Sequence, residues 1–177
     1  MTSKLNVSCI IDIEAFILNA RKIIYRQLAW IDLNSDKRGL VDIYTPGIKY
    51  YNLSKEEQQT IRYCTKQIHG LYLSDKKPRG SNNWVSVHDL GNFLRDLGKK
   101  YTGTFLYKGG KLERDILKKL GIDGYNLEKV GVPKARDINI DNLICPIHGL
   151  ECFSFHCPLI EIIKYKHYII TNNVVFL

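Results

Sequence analysis

The run Asn6-Val-Ser-Cys-Ile-Ile-Asp-Ile13 is the strongest constraint on what this chain can fold into. It is apolar and rich in β-branched residues, so it reads as a buried strand. The strand nevertheless ends on Asp12-Ile-Glu14, two carboxylates whose spacing projects them from one face. Like charges at the end of a buried strand are costly unless a cation neutralises them. The competing reading is that both acids mark the strand end and face solvent. Residues 28–33 and 40–44 look like two further strands, joined by the turn Asn34-Ser-Asp-Lys-Arg-Gly39. The N-terminal part is thus expected to be an antiparallel meander of three strands.

Ser54 and Glu57 form a capping box, predicting a helix that runs toward Gln67 with Gly70 after its end. Residues 74–83 are a polar, glycine-bearing loop that carries Lys76, Lys77 and Arg79. A second helix is expected from Ser86, with Val87, Leu90, Phe93, Leu94 and Leu97 on one face and Gly98 closing it. A strand over 102–107 follows, then Lys108-Gly109-Gly110 and a helix over 112–120 stopped by Gly121. Residues 122–144 read as irregular. Pro158 suits the first turn of a last helix through Tyr168, and 174–177 would add an edge strand or pack on the core. A helical crossover makes the fourth strand parallel to a neighbour. The expected class is α/β, a mixed sheet flanked by helices in a ribonuclease-H-like order, with one domain over residues 1–177.

Apolar content of 45% and charged content of 25% are those of a globular chain rather than a disordered one. No run approaches the roughly 18 apolar residues of a membrane span, and residues 1–13 lack the layout of a secretory signal. A cytoplasmic or nuclear location is therefore expected. The net charge of +8 favours a polyanionic partner, RNA or DNA, over a basic surface with no such role. Of five cysteines, Cys145, Cys152 and Cys157 fall within thirteen residues, beside His148 and His156. Without a secretory signal, that cluster favours a metal or reduced thiols over a disulfide framework. Cys9 and Cys64 read as small buried hydrophobes.

Two spacings overlap near the C-terminus. Cys145-Pro-Ile-His148 with the later Cys157 is a zinc-ligand pattern, because thiolate and imidazole at short spacing can converge on a tetrahedral ion. His156 with Glu161 places a base and a carboxylate at the mouth of a helix. Glu113 lies one turn into the helix after Gly109-Gly110 and can point back at the strand ends; Asp115 sits about 200° further round and should point away. Asp12, Glu14, Glu113 and Glu161 together suit two divalent cations, Mg²⁺ or Mn²⁺, with His156 taking the proton of a water. The plainer readings are a solvated helix-start acid for Glu113 and a structural hydrogen-bonder for His156.

Asp12-Ile-Glu14, Lys108-Gly-Gly-Lys-Leu-Glu113-Arg-Asp-Ile-Leu117 and His156-x4-Glu161, in that order and spacing, resemble the DEDDh exonuclease superfamily. The resemblance implies a ribonuclease-H-like fold and 3′-to-5′ exonuclease activity on RNA or single-stranded DNA by two-metal-ion hydrolysis. It departs from the family where Glu113 and Glu161 stand in place of aspartates, and where Lys108-Gly109 replaces a His-Asn pair. The chain is similar in particular to the Maelstrom domain, a branch linked to small-RNA pathways. That similarity implies a structural Zn²⁺ on Cys145, His148 and Cys157. The family's glutamate ligand falls at Gln27, a poor ligand beside thiolates, which leaves Cys152 as the other choice. Many Maelstrom domains lack the nuclease carboxylates, so the alternative is a catalytically inactive nucleic-acid-binding module that keeps the zinc.

In either case Lys108, Lys111, Arg114, Lys76, Lys77 and Arg79 would track phosphates without reading sequence. The resemblance places Ile68-His69-Gly70-Leu71 at a substrate-side loop, and Tyr72, Trp84 or Tyr107 could stack a terminal base. A third reading is a protein-interaction domain whose positive charge is incidental.

Overall fold

The computed structural model describes residues 4–80, 82–147 and 156–177. The N-terminal run becomes β1 (Val7–Asn19), which turns back through Ala20 and Arg21 into β2 (Lys22–Asp32) and then β3 (Arg38–Tyr44). This is the expected antiparallel meander, with the first two strands longer than their apolar cores suggest. The helix α1 (Lys55–Gln67) follows, then a short strand β4 (Trp84–Ser86) and α2 (Leu90–Lys100). Beyond these come β5 (Thr104–Tyr107), α3 (Lys111–Leu120), β6 (Gly124–Asn126) and α4 (Pro158–Thr171). The sheet has six strands in the order β4-β3-β2-β1-β5-β6. β4 joins β3, β5 joins β1 and β6 joins β5 in parallel, so the sheet is mixed.

β1 is the spine because both of its edges and both of its faces are used. Alternation along it sends Ile10 into a core with Leu159, Ile162 and Tyr165 of α4, and sends Cys9, Ile11 and Ile13 into a core with Leu90, Leu94 and Leu97 of α2 and Leu117 of α3. Asp12 and Glu14 share the parity of Ile10. A register shift between Glu14 and Ala15 ends that alternation. Beyond it Phe16 packs in a separate cluster with Ile24, Leu53 and Ile61 of α1.

The capping box forms as expected: the Glu57 amide donates to Ser54 Oγ at 3.2 Å and the Ser54 amide to Glu57 Oε2 at 3.0 Å. The second helix is a correction. Residues 84–86 are a strand beside β3, and Ser86 Oγ donates to Asp89 Oδ2 at 2.6 Å and closes the turn before α2. Gly98 lies inside α2, where a Cβ would meet Ile122 at 3.6 Å.

The region expected to be irregular contains β6. Its strand is only three residues long, and at Gly124 a Cβ would lie 2.9 Å from Leu117 and 3.2 Å from the Tyr107 ring, so glycine is there for close packing. The tail over 174–177 packs on the core rather than adding a strand. Phe176 is buried edge-on to Tyr125, and its carbonyl accepts from the Leu5 amide at 3.0 Å. No helix among the described residues is long and apolar enough to cross a membrane.

Candidate active site

The site forms where β1 outruns its neighbour. β5 pairs with β1 only as far as Ile10, then leaves through Lys108-Gly109-Gly110 into α3. Gly109 takes a positive φ of 80°, which lets the chain turn sharply enough to start α3 beside the strand. Glu113, in the first turn of α3 and only 4% exposed, reaches back so that its Oε1 accepts from the Ile13 amide at 3.0 Å. A strand donor past the end of the ladder is thus satisfied by a carboxylate. Asp115 was expected to point away; it also lines the cleft, but there it pairs with Arg114 at 2.9 Å.

From the other side, α4 and the short segment before it supply Glu161 and His156. The His156 amide donates to the Ile68 carbonyl at 2.8 Å, tying this segment to the end of α1. Its ring bridges two acids: Nδ1 lies 2.7 Å from Glu14 Oε1 and Nε2 lies 2.5 Å from Glu161 Oε1. Two carboxylates accepting from both ring nitrogens require imidazolium, and those bonds push the His156 pKa up to about 10.

Asp12 sits among these groups. Burial raises its pKa well above the usual range, and Glu161, Glu113 and Glu14 push it further in the same direction. Its Oδ2 is buried with no hydrogen-bond partner among the described residues. Burial also raises Glu14, and raises Glu113 to about 7. The structure therefore gathers all five residues, Asp12, Glu14, Glu113, His156 and Glu161, that the sequence nominated. It does so at the floor of a cleft of about 950 Å³.

The donor set is all-oxygen apart from one imidazole, which suits a hard divalent cation such as Mg²⁺ or Mn²⁺. The orphaned Asp12 Oδ2 is an atom such a cation would satisfy. Among the described residues, however, no group of three His, Cys, Asp or Glu side chains is already drawn together as a finished metal cage. The imidazolium holds two of the four acids instead.

Lys108, Lys111 and Arg114 line the cleft, as expected; Lys76, Lys77 and Arg79 do not, being on the exposed loop that leads to β4. Of the three stacking candidates, Tyr107 is buried and Trp84 lies under the Arg26 guanidinium at 5.4 Å, whereas the Tyr72 residue is 76% exposed. Tyr72 does not line this cleft.

Among the lining residues that sequence reading missed are Tyr165, Lys134 and Arg136. Tyr165, one turn after Glu161 on α4, donates its hydroxyl to Glu161 Oε2 at 3.3 Å; that spacing of four was legible. Lys134 and Arg136 carried no local signal, because they reach the cleft only through the fold. A short 3-10 turn over Ala135–Asp137 is pinned to α4 where Lys164 Nζ donates to the Ala135 carbonyl at 3.0 Å.

At the zinc pattern, Cys145 Sγ and Cys157 Sγ are buried and 3.8 Å apart. Two thiolates about 2.3 Å from a tetrahedral ion would stand about 3.8 Å from each other, a separation that a thiol–thiol hydrogen bond gives equally. His148 and Cys152 lie outside the described residues. Gln27 is committed elsewhere: its Nε2 donates to Asp42 Oδ1 at 2.9 Å. No protein-family model matches this sequence, and no curated protein matches it significantly, so the functional reading stands on the arrangement of the site itself.

Proposed function

We propose that this chain is a metal-dependent 3′-to-5′ exonuclease acting on RNA or single-stranded DNA, on a ribonuclease-H-like sheet. One observation carries the reading: three carboxylates from three separate elements, Glu14, Glu113 and Glu161, surround a buried Asp12 oxygen that has no partner among the described residues, at the floor of a cleft rimmed by lysine and arginine. Keeping four acids together opposes stability, and such arrangements belong to sites that handle charge. The resemblance of the three acidic motifs to the DEDDh superfamily supports the same reading.

Asp12, Glu14, Glu113 and Glu161 would hold two Mg²⁺ or Mn²⁺ ions. Such ions, when bound, lower the pKa of an attacking water and stabilise the leaving oxygen. Glu14 and Glu161 orient the His156 ring from both sides, and His156, at 49% side-chain exposure, can exchange a proton with water in the cleft. Tyr165 steadies Glu161 through its hydroxyl. Lys108, Lys111, Arg114, Lys134 and Arg136 line the approach and would hold backbone phosphates whatever the base sequence. Zinc on Cys145, His148 and Cys157 would be structural. It would pin the segment that ends at His156.

The bridging imidazolium favours a second reading. It already neutralises Glu14 and Glu161 and so does part of what a cation would do. In that case the chain is a catalytically inactive nucleic-acid-binding module with the same zinc. Incubating 5′-labelled single-stranded RNA and DNA with Mn²⁺, Mg²⁺ or EDTA separates the two. A metal-dependent ladder shortening from the 3′ end, absent in Asp12→Asn, is the expected result. Intact but bound oligonucleotide under every condition would leave the binding module.

A further inference from the structure

A second concavity, of about 380 Å³, lies between α1 and the segment that follows it, lined by Ile61, Arg62, Thr65 and Lys66 on the helix and by Tyr50 and Tyr72 opposite. Arg62 and Lys66 are one turn apart on α1 and exposed. Among the described residues that line the groove, none is acidic. Tyr63, beside Arg62, is also exposed.

The backbone under Tyr72 is held firmly although its ring is not buried. The buried Arg26 donates from Nε to the Tyr72 carbonyl at 2.6 Å and from its terminal nitrogen to the Ile43 carbonyl. Thr65 Oγ1 donates to the Leu71 carbonyl at 2.7 Å, and the Leu71 amide to His69 Nδ1 at 3.1 Å. With the backbone held, a tyrosine has only two side-chain torsions to order when a flat partner stacks on its exposed ring. Cations without acids beside it suit a polyanion, and exposed aromatic faces among cations are the chemistry of single-stranded nucleic acid. The helix that bears Arg62 and Lys66 is tied at its C-terminal end to the segment that carries His156, whose amide donates to the Ile68 carbonyl.

We propose that the groove between α1 and Tyr72 is a second binding site for single-stranded nucleic acid, with a base stacked on Tyr72 and phosphates on Arg62 and Lys66. Lys76 and Lys77, a few residues beyond Tyr72 in the chain, are exposed as well. The site goes beyond the exonuclease reading and needs no cleavage to be detected.

The test is fluorescence anisotropy in EDTA with a labelled single-stranded RNA, or its DNA counterpart, of about 15 nucleotides. Tyr72→Ala is expected to weaken binding roughly five- to hundredfold, with Tyr72→Phe close to wild type. Arg62→Glu with Lys66→Glu should weaken it at least as much. These positions are exposed, and an unchanged circular dichroism spectrum would confirm that each variant folds. Wild-type affinity in both Tyr72→Ala and the Arg62/Lys66 variant would overturn this site and leave the exonuclease untouched. Failure of the wild-type chain to bind either strand would also overturn it and leave the groove to a protein ligand. Cleavage with Mn²⁺, scored separately on the same preparations, decides the exonuclease reading.

Discussion

Asp12 and His69 are two buried titratable groups that the fold treats differently. Asp12 is an acid among acids, with one oxygen that has no partner among the described residues. Asp12→Asn should therefore stabilise the apo fold by about 1–3 kcal/mol while removing the proposed cleavage. Urea denaturation in EDTA and again in Mn²⁺ checks both parts, because a bound ion should stabilise the wild type and not the variant. Equal stability of the two proteins in EDTA would show that Asp12 is already neutral in the fold. His69 is buried against the Phe16 ring, and burial with Arg26 and His156 nearby lowers its pKa to about 4. The unfolded chain then binds the proton first. Stability from this residue is intact above about pH 6.5 and declines, by up to about 3 kcal/mol, as pH falls from there to about 4. Glu113, raised to about 7, acts in the opposite sense over the range below neutrality, so the wild-type profile alone mixes the two. His69→Asn keeps an acceptor for the Leu71 amide and removes the titration. Comparing the pH dependence of its unfolding with that of wild type isolates the histidine, and an unchanged acid slope would show that His69 takes up its proton without cost.

Local chemistry set some elements and distant contacts set others, which decides what could be read from the chain alone. α1 was legible because Ser54 and Glu57 satisfy each other within one turn. Ser54→Ala should cost about 1 kcal/mol in chemical denaturation, and a loss near zero would mean that packing of Ile61 and Leu53 suffices to set the start of the helix. β1 was legible from its apolar run, and with it the shared face of Asp12 and Glu14. Glu113 followed from helical geometry. What was illegible depends on residues far apart in sequence. β4 and β6 are three residues each and exist only because β3 and β5 present edges to them. Gly124 reads as a loop residue until Leu117 and Tyr107 are seen closing on it. The start of α2 was misplaced because Ser86, a good cap by type, spends its hydroxyl closing the turn with Asp89. The bridge from His156 to Glu14 spans 142 positions, and no spacing rule predicts it.

Across the whole molecule, a net charge of +8 surrounds an acidic floor. A polyanion is drawn to the rim and repelled by the floor, so the proposed function needs cations at two places: protein side chains around the cleft and metal ions within it. The rim cations differ in how committed they are. Lys108 is 3.7 Å from Glu128, Arg114 is paired with Asp115, and Arg136 lies 3.9 Å from Asp137. Lys111 and Lys134 are exposed and form no ion pair among the described residues. Each unpaired lysine that contacts a phosphate of a single strand should add about 0.7 to the slope of log affinity against log salt. Lys111→Gln and Lys134→Gln are therefore each expected to flatten that slope by about 0.7, and together by about 1.4, with Asp12→Asn used as the background so that substrate survives the titration. Anisotropy of a labelled single strand across a salt series measures it. A slope unchanged by both substitutions would put the binding surface away from the cleft. A wild-type affinity independent of salt would mean that the charge of the chain serves no polyanion.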